Sequence, residues 1–150
     1  MNRRTLLLAA AALPLARLPA LAAADGTIRV LKSPTCGCCT GWVEHLTAAG
    51  LDTEVRDVPD EQLWATKERL GITSELSSCH TAMAGGYVIE GHVPAEDIQR
   101  LLAEKPAAIG LTVPGMPIGS PGMEMGDERE AFDTLLILAD GTTEVFASHS

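Results

Sequence analysis

The sequence predicts an α/β domain in which helices flank a central mixed sheet and a hairpin closes the chain. Three observations support this fold class. Strand-like and helix-like segments alternate through most of the chain. Gly or Pro stands at the ends of most of these segments, where either residue interrupts regular structure. Near the end of the chain, two strand-like runs flank Asp140-Gly141, a pair that favours a tight hairpin turn.

The first strand and helix come from the segment that also holds most of the cysteines. Residues 27–32 alternate in polarity and are rich in branched side chains, as is typical of a strand. A helix is predicted to begin at about Cys36 or Cys38 and to end at Gly50, a common helix stop. Trp42 has the helical spacing of a core residue.

The next segments predict a second strand, a second helix and a loop. Residues 51–58 have strand composition, and residues 59–71 begin with Pro-Asp-Glu and end with Gly, which marks a helix. Trp64 on this helix is also a predicted core residue. Residues 72–84 are small and polar, so they predict a loop that carries Cys79-His80.

The rest of the chain predicts one more strand and helix, then a long loop and the hairpin. Residues 87–93 predict a strand, and residues 94–102 a helix that ends before a proline. Residues 107–126 are rich in Gly, Pro and Met and show neither the helical nor the strand period of apolar residues, so they predict a loop. Residues 132–147 predict the hairpin. This order of elements is that of a thioredoxin-like βαβ unit with a C-terminal hairpin.

The N-terminal residues predict a cleaved export signal. Arg3 and Arg4 precede an apolar run that is too short to span a bilayer, and small residues at 20–24 provide an A-x-A cleavage signal. The paired arginines also resemble a twin-arginine signal, which leaves the export route open. We therefore expect residues 1–24 to be a cleaved signal peptide and residues 25–150 to be a single thioredoxin-like domain that is exported.

Charge excludes several classes of partner. The full chain has 11 basic and 20 acidic residues, a net charge of −9, and without the three arginines of residues 1–24 the balance is −12. Nucleic acids and anionic membranes are bound through Lys and Arg, so neither is an expected partner. There is no second long apolar segment, so we expect no membrane insertion of the mature chain.

Three of the four cysteines lie within four positions. Cys36 and Cys39 form a C-x-x-C pair at a helix start, where the helix dipole lowers a thiol's pKa and favours the thiolate. A thiolate serves disulfide exchange and metal binding alike. A redox dithiol, one or two structural disulfides and a soft-metal site are therefore all possible interpretations at this point.

Two further features favour a metal. Cys38 would scramble a clean redox pair, and in a thioredoxin-like scaffold the segment that faces the dithiol commonly carries a proline, where this chain has Cys79-His80. Adjacent helical side chains lie about 100° apart, so Cys38 and Cys39 are expected to diverge and to bridge neighbouring ions. Thiolates select Cu(I) among biological metals. A single zinc ion held by Cys36, Cys39, Cys79 and His80 remains open.

The long loop and the remaining histidines add weaker candidates. Thioethers are soft donors, and the loop supplies three of them: Met116, Met123 and Met125. We expect His45 to be solvated, and His92 and His149 to have no metal role. No catalytic triad, phosphate loop or paired-carboxylate motif is present, so no catalytic residue and no organic cofactor is assigned.

Three segments of this chain resemble a known family. "CGCC" after the first strand, "SCHTA" before "GYVIEGHVPAEDIQRLL", and "GLTVPGMPIGSPGME" are similar to the CopG-type family of exported copper-resistance and metal-binding proteins. The resemblance extends over residues 27–147. It implies a thioredoxin-like fold, a periplasmic location and a copper cluster held by cysteines. Carried over to this chain, the implied ligands are Cys36, Cys38, Cys39, Cys79, His80, Met116 and Met123.

The expected function is therefore that of a periplasmic copper-binding protein. It would hold Cu(I) in a thiolate-bridged, multinuclear site and act in copper homeostasis by sequestration, delivery or redox conversion. Its expected partners are metal ions and other periplasmic copper-handling proteins. The alternatives are a thiol–disulfide oxidoreductase that uses Cys36 and Cys39, and a zinc-binding protein. Any enzymatic activity is expected to be that of a copper or a thiol–disulfide oxidoreductase.

Overall fold

The computed structural model describes residues 26–150, which form a seven-stranded mixed sheet and three helices. The predicted export segment at 1–24 lies outside the described residues. The strands are β1 (Ile28–Lys32), β2 (Thr53–Asp57), β3 (Thr81–Ala84), β4 (Tyr87–Gly91), β5 (Gly110–Val113), β6 (Phe132–Ile137) and β7 (Thr143–His149). The helices are α1 (Gly37–Ala48), α2 (Asp60–Arg69) and α3 (Ala95–Glu104).

The predicted mixed sheet and C-terminal hairpin are both present. The strand order is β2-β1-β3-β4-β5-β6-β7. β1 runs parallel to β2 and β4 runs parallel to β5, whereas the other neighbouring strands are antiparallel. The hairpin of β6 and β7 turns at Asp140, whose Oδ1 accepts hydrogen bonds from the N–H and the hydroxyl of Thr142 at 3.0 and 2.6 Å.

The helices cover the sheet from both sides. One apolar cluster joins α1 and α3 to the sheet through residues such as Trp42, Ile98 and Ile89, all without exposed surface. A smaller cluster around Ile72 and Val88 lies on the opposite face, because neighbouring residues of a strand point to opposite sides. Lys67 of α2 also reaches the sheet on this second face, where its Nζ donates a hydrogen bond to the hydroxyl of Thr81.

Strand register brings four chain segments to one end of the sheet. Leu31, Thr81, Glu90 and Thr112 lie side by side across β1, β3, β4 and β5. Just beyond this row, β1 leads toward α1, β4 leads toward α3 and β5 leads into the long loop, while β3 is entered from residues 77–80. Side chains that follow or precede these strands therefore meet at the same place.

Two strands lie where the sequence predicts loop. β3 falls within residues 72–84 and β5 within residues 107–126. Each has only four residues, too few for a periodic signal, and all four residues of β5 are buried, so polarity does not alternate. Gly110 suits the close approach of the neighbouring strand, because a Cβ there would lie 1.8 Å from the carbonyl oxygen of Val88.

Two expectations about single residues are wrong. Trp64, a predicted core residue, is 50% exposed on the outer side of α2. His45, expected to be solvated, is half-buried and its Nε2 accepts a hydrogen bond from the N–H of Ala95 at 3.1 Å, at the start of α3. Among residues 26–150, none of the helices is both long and apolar enough to cross a membrane.

Candidate metal centre

The first part of the site is the entry into α1. Cys36 precedes the helix with an extended backbone (φ −80°, ψ 97°), and its N–H donates to the carbonyl of Ser33 at 3.1 Å. Cys38 and Cys39 lie in the first helical turn. Because Cys36 is outside the helix, its side chain is free of the 100° spacing that separates Cys38 from Cys39.

Cys79 joins these three cysteines from the segment before β3. Its Sγ lies 3.6 Å from the Sγ of Cys38 and 3.5 Å from that of Cys39, and the sulfurs of Cys36 and Cys38 are 3.5 Å apart. All four sulfur atoms lie within 4.8 Å of one another. The sulfurs of Cys38 and Cys39 therefore diverge less than helical spacing suggests, since both lie beside the sulfur of Cys79.

The four sulfurs are in two chemical states. Cys36 and Cys39 form a disulfide, whereas Cys38 and Cys79 are free thiols. Burial and the neighbouring Cys38 raise the pKa of Cys79 to about 12. In the absence of a cation the Cys79 thiol therefore keeps its proton at neutral pH.

His92, which was expected to have no metal role, is fully buried and touches Cys79. It directly follows β4, and its Nε2 lies 3.0 Å from the Sγ of Cys79. Its Nδ1 lies 2.7 Å from the carbonyl oxygen of Pro121, which can only accept, so Nδ1 carries the proton. The lone pair of Nε2 then points at Cys79, available to the thiol proton or to a metal ion.

His80 is a second buried imidazole beside Cys79. It has no exposed surface, and its ring lies 4.3 Å from the Trp42 ring and 5.0 Å from the His92 ring, measured between centroids. Its Nδ1 is 3.4 Å from the Sγ of Cys79. Its Nε2 is the one buried side-chain nitrogen or oxygen of residues 26–150 without a hydrogen-bond partner. Such an atom commonly marks a missing ligand or water.

Both imidazoles are held in the neutral form that binds metals. Burial lowers the pKa of His80 well below its ordinary value, and the neighbouring His92 and Lys67 lower it further. Burial also lowers the pKa of His92, against the opposing effects of its bond to Pro121 and of Glu124. Neutral imidazole nitrogen and thiolate sulfur are together ligands for copper and zinc.

The long loop contacts the cysteine helix, but through a glycine. Gly122 packs so closely on α1 that a Cβ there would lie 2.5 Å from the carbonyl oxygen of Cys38. Met123 is half-buried next to it, and its backbone bonds to Gly119 and Ser120. Met116 is 52% exposed. The loop is thus a wall of the site, and a thioether role for either methionine stays a prediction.

The sulfur spacing suits shared metal ions. With metal–sulfur bonds of about 2.3 Å and tetrahedral angles, two thiolates on one ion are about 3.8 Å apart. The contacts of Cys79 with Cys38 and Cys39 are close to this value. The cluster Cys79, His80 and His92 brings two nitrogens to the same sulfur within 4.8 Å. The alternative chemistry is thiol–disulfide exchange, because a free thiol lies beside the Cys36–Cys39 bond.

The fold and the site define an α/β protein with a candidate metal centre of four cysteines and two histidines. Residues 76–123 match a family described as "Protein of unknown function, DUF411". A search of curated proteins finds no significant match. Two solved structures, forms 2 and 1 of a copper resistance protein CopG, are similar, with identities of 40% and 41% and TM-scores of 0.77 and 0.76. These matches cover 83% and 82% of this chain and 98% and 96% of the others. The chain therefore belongs to the family of the copper resistance protein CopG.

Proposed function

We propose that this chain is a periplasmic copper-binding protein that holds Cu(I) through clustered cysteine thiolates. The observation that carries the proposal is Cys79, whose sulfur contacts those of Cys38 and Cys39 and the Nε2 of His92. The similar structures named copper resistance protein CopG indicate the metal. We propose that residues 1–24 direct export, and the order of the first four strands suits the thioredoxin-like description.

Thiolate and imidazole donors suit both copper and zinc, and the similarity to copper resistance protein CopG favours copper as the cargo. Sulfur can bridge two cuprous ions, so four cysteines can hold more than one. Reduction of the Cys36–Cys39 disulfide supplies two of the four thiolates, and His80 and His92 add neutral nitrogen donors. A zinc ion would be satisfied by four of these six ligands. In the cell, such a site would serve copper resistance by sequestration, delivery or redox conversion.

The test is a titration of the reduced mature protein with Cu(I) against a strong chelator. We expect Cys79→Ser and Cys39→Ser to bind fewer copper ions, or to bind them more weakly, than the parent. Met83→Leu is the control, because this exposed methionine of β3 is a soft donor outside the cysteine cluster. If both cysteine variants match the parent in copper number and affinity, the proposal is wrong.

The disulfide allows the same titration to be made in a second redox state. With Cys36 and Cys39 bonded, only Cys38, Cys79 and the histidines remain as ligands, so the oxidised protein should bind less copper than the reduced one. Zinc titrated in parallel should saturate at one ion per chain. An equal capacity for Cu(I) in both redox states would contradict a role for the two bonded cysteines.

A thiol–disulfide oxidoreductase is the second candidate function. It is favoured by the Cys36–Cys39 disulfide and by the free thiol of Cys79, 3.5 Å from the sulfur of Cys39. It predicts that the metal-free protein reduces or oxidises a disulfide substrate with turnover, and that Cys38→Ser retains this activity. Absence of turnover in the metal-free parent would remove this candidate.

A further inference from the structure

A buried ion pair lies behind the segment that carries Cys79. Lys67 of α2 is 1% exposed and Glu90 of β4 has no exposed surface. The Nζ of Lys67 donates a hydrogen bond to the Oε1 of Glu90. Neither residue belongs to the candidate ligand set, so the metal centre alone does not explain why two charges are buried here.

The carboxylate of Glu90 holds both sides of the ligand segment. Its Oε1 also accepts from the backbone N–H of Ser78 at 2.8 Å, and its Oε2 accepts from the hydroxyl of Thr81 at 2.6 Å. The hydroxyl of Thr81 accepts in turn from the Nζ of Lys67 at 2.8 Å. Only Cys79 and His80 lie between the two residues that are held. One side chain therefore fixes the chain before and after both candidate ligands.

The contacts require Glu90 to be ionised. Burial raises its pKa, and the charge of Lys67 and the hydrogen bonds from Lys67, Thr81 and Ser78 oppose this shift. Three donors converge on its two oxygens, and a protonated carboxyl would itself need an acceptor. The geometry therefore fits a carboxylate that is fully occupied by an ammonium, an amide and a hydroxyl.

Buried ion pairs of this kind contribute little net stability. Removing two charges from water costs about as much as their attraction returns, and replacing both with apolar residues of similar size is often neutral or stabilising. The network is better explained by the segment that it orients. We propose that the Lys67–Glu90 pair is the positioning device of the metal centre, setting the Cys79 sulfur against the α1 thiols; this inference rests on the proposed function.

The double variant Lys67→Met/Glu90→Leu tests the proposal, because it removes both charges and keeps the side-chain volumes similar. We expect the double variant to fold with a melting temperature lowered by several degrees, because the hydroxyl of Thr81 and the N–H of Ser78 lose their partners. Its Cu(I) affinity, measured against a chelator, should fall roughly 10- to 100-fold, as when outer-shell partners of metal ligands are lost. The control is Glu104→Gln, which breaks an exposed ion pair with Arg100 and should leave the affinity unchanged.

A second readout needs no metal. In a background where Cys36, Cys38 and Cys39 are replaced by Ser, only Cys79 can react with a chromogenic thiol reagent. The reaction should be several times faster when the pair is replaced, because Ser78 and Thr81 no longer hold the Cys79 segment in its buried position. Glu90→Gln retains an acceptor for Ser78 but loses one for Thr81, and it should raise the rate by less.

The outcomes separate the two proposals. If the parent binds no Cu(I), the proposed function fails, and the rate at Cys79 still decides whether the pair positions that residue. If the double variant is folded and matches the parent in both Cu(I) affinity and Cys79 reactivity, the positioning role is overturned. If the double variant does not fold, the Glu90→Gln rate decides, and a rate equal to the parent's overturns the proposal.

Discussion

Replacement of Gly122 by Ala should detach the long loop from the cysteine helix. A Cβ at this position would lie 2.5 Å from the carbonyl oxygen of Cys38 and 2.6 Å from the backbone nitrogen of Trp42, whereas ordinary contact begins at 3.4 Å. The indole of Trp42 anchors α1 in the core, so the loop is the part that moves. It must retreat by about 0.9 Å to relieve the closer contact.

This retreat would break the bond that orients His92. The 2.7 Å distance from its Nδ1 to the carbonyl oxygen of Pro121 would lengthen to about 3.6 Å, which is no longer a hydrogen bond. A lost buried hydrogen bond costs about 1 kcal/mol. Alanine at the positive φ of +86° costs about 1–2 kcal/mol more. We therefore expect Gly122→Ala to lower the free energy of unfolding by about 2–3 kcal/mol.

Gly141 provides a matched control for this prediction. Its φ of +84° is nearly the same, but a Cβ there would meet nothing within 4 Å. Gly141→Ala should therefore cost only the backbone strain, about 1–2 kcal/mol. Urea denaturation followed by far-UV circular dichroism measures both variants, and ¹⁵N NMR of His92 reports which ring nitrogen is protonated. Equal losses of stability with an unchanged His92 tautomer would refute the reasoning.

Three other predictions concern the core and the pH dependence of the metal-free protein with the Cys36–Cys39 disulfide intact. Trp42→Phe leaves a buried carbonyl without its indole donor at 2.8 Å and should lower the free energy of unfolding by about 2–4 kcal/mol, whereas the half-exposed Trp64→Phe should change it by less than about 0.5 kcal/mol in the same denaturation assay. His80 and His92 have lowered pKa values, so the unfolded chain takes up protons that the folded chain does not. Stability should therefore fall as pH drops below about 6.5, and His92→Gln should weaken this dependence in a series of urea midpoints. The raised pKa of Cys79 acts at alkaline pH. The free energy of unfolding should fall as pH rises from 9.0 toward about 12, and Cys79→Ser should reduce this fall.

The elements whose sequence patterns extend over many residues were predicted correctly. α1, α2 and α3 lie within a few residues of the helices expected from apolar spacing, Gly and Pro, and the hairpin of β6 and β7 matches its turn signal. β3 and β5 were missed because four-residue strands in the middle of a sheet have no alternation to detect. The place of β5 is decided by hydrogen bonds to β4 and β6, and that of β3 partly by hydrogen bonds to β1, all of which are distant in sequence; β4, the other neighbour of β3, follows directly after Gly85-Gly86.

The candidate site was predictable where its residues are chemically unusual. The four cysteines and His80 were identified by residue type, and the structure brings them together. His92 was missed because a lone histidine at a turn carries no signal of its own. What places it is topology: it follows β4, whose end lies beside the start of β3 and therefore beside Cys79. Lys67 and Glu90 were missed for the same reason.

The pairing of β1 with β3 makes the centre vulnerable to changes that touch no ligand. A slip of β3 by one residue would turn every side chain of that strand to the other face. A slip by two would keep the faces but move the chain by about 7 Å, twice the 3.6 Å contact between Cys79 and Cys38. Ala82 and Ala84 of β3 are buried in the core cluster that also contains residues of α1 and α3, where a larger side chain would displace the strand. A bulky residue at either position should abolish metal binding although all the candidate ligands are still present. Variants that lose metal binding therefore need not be substitutions of the cysteines.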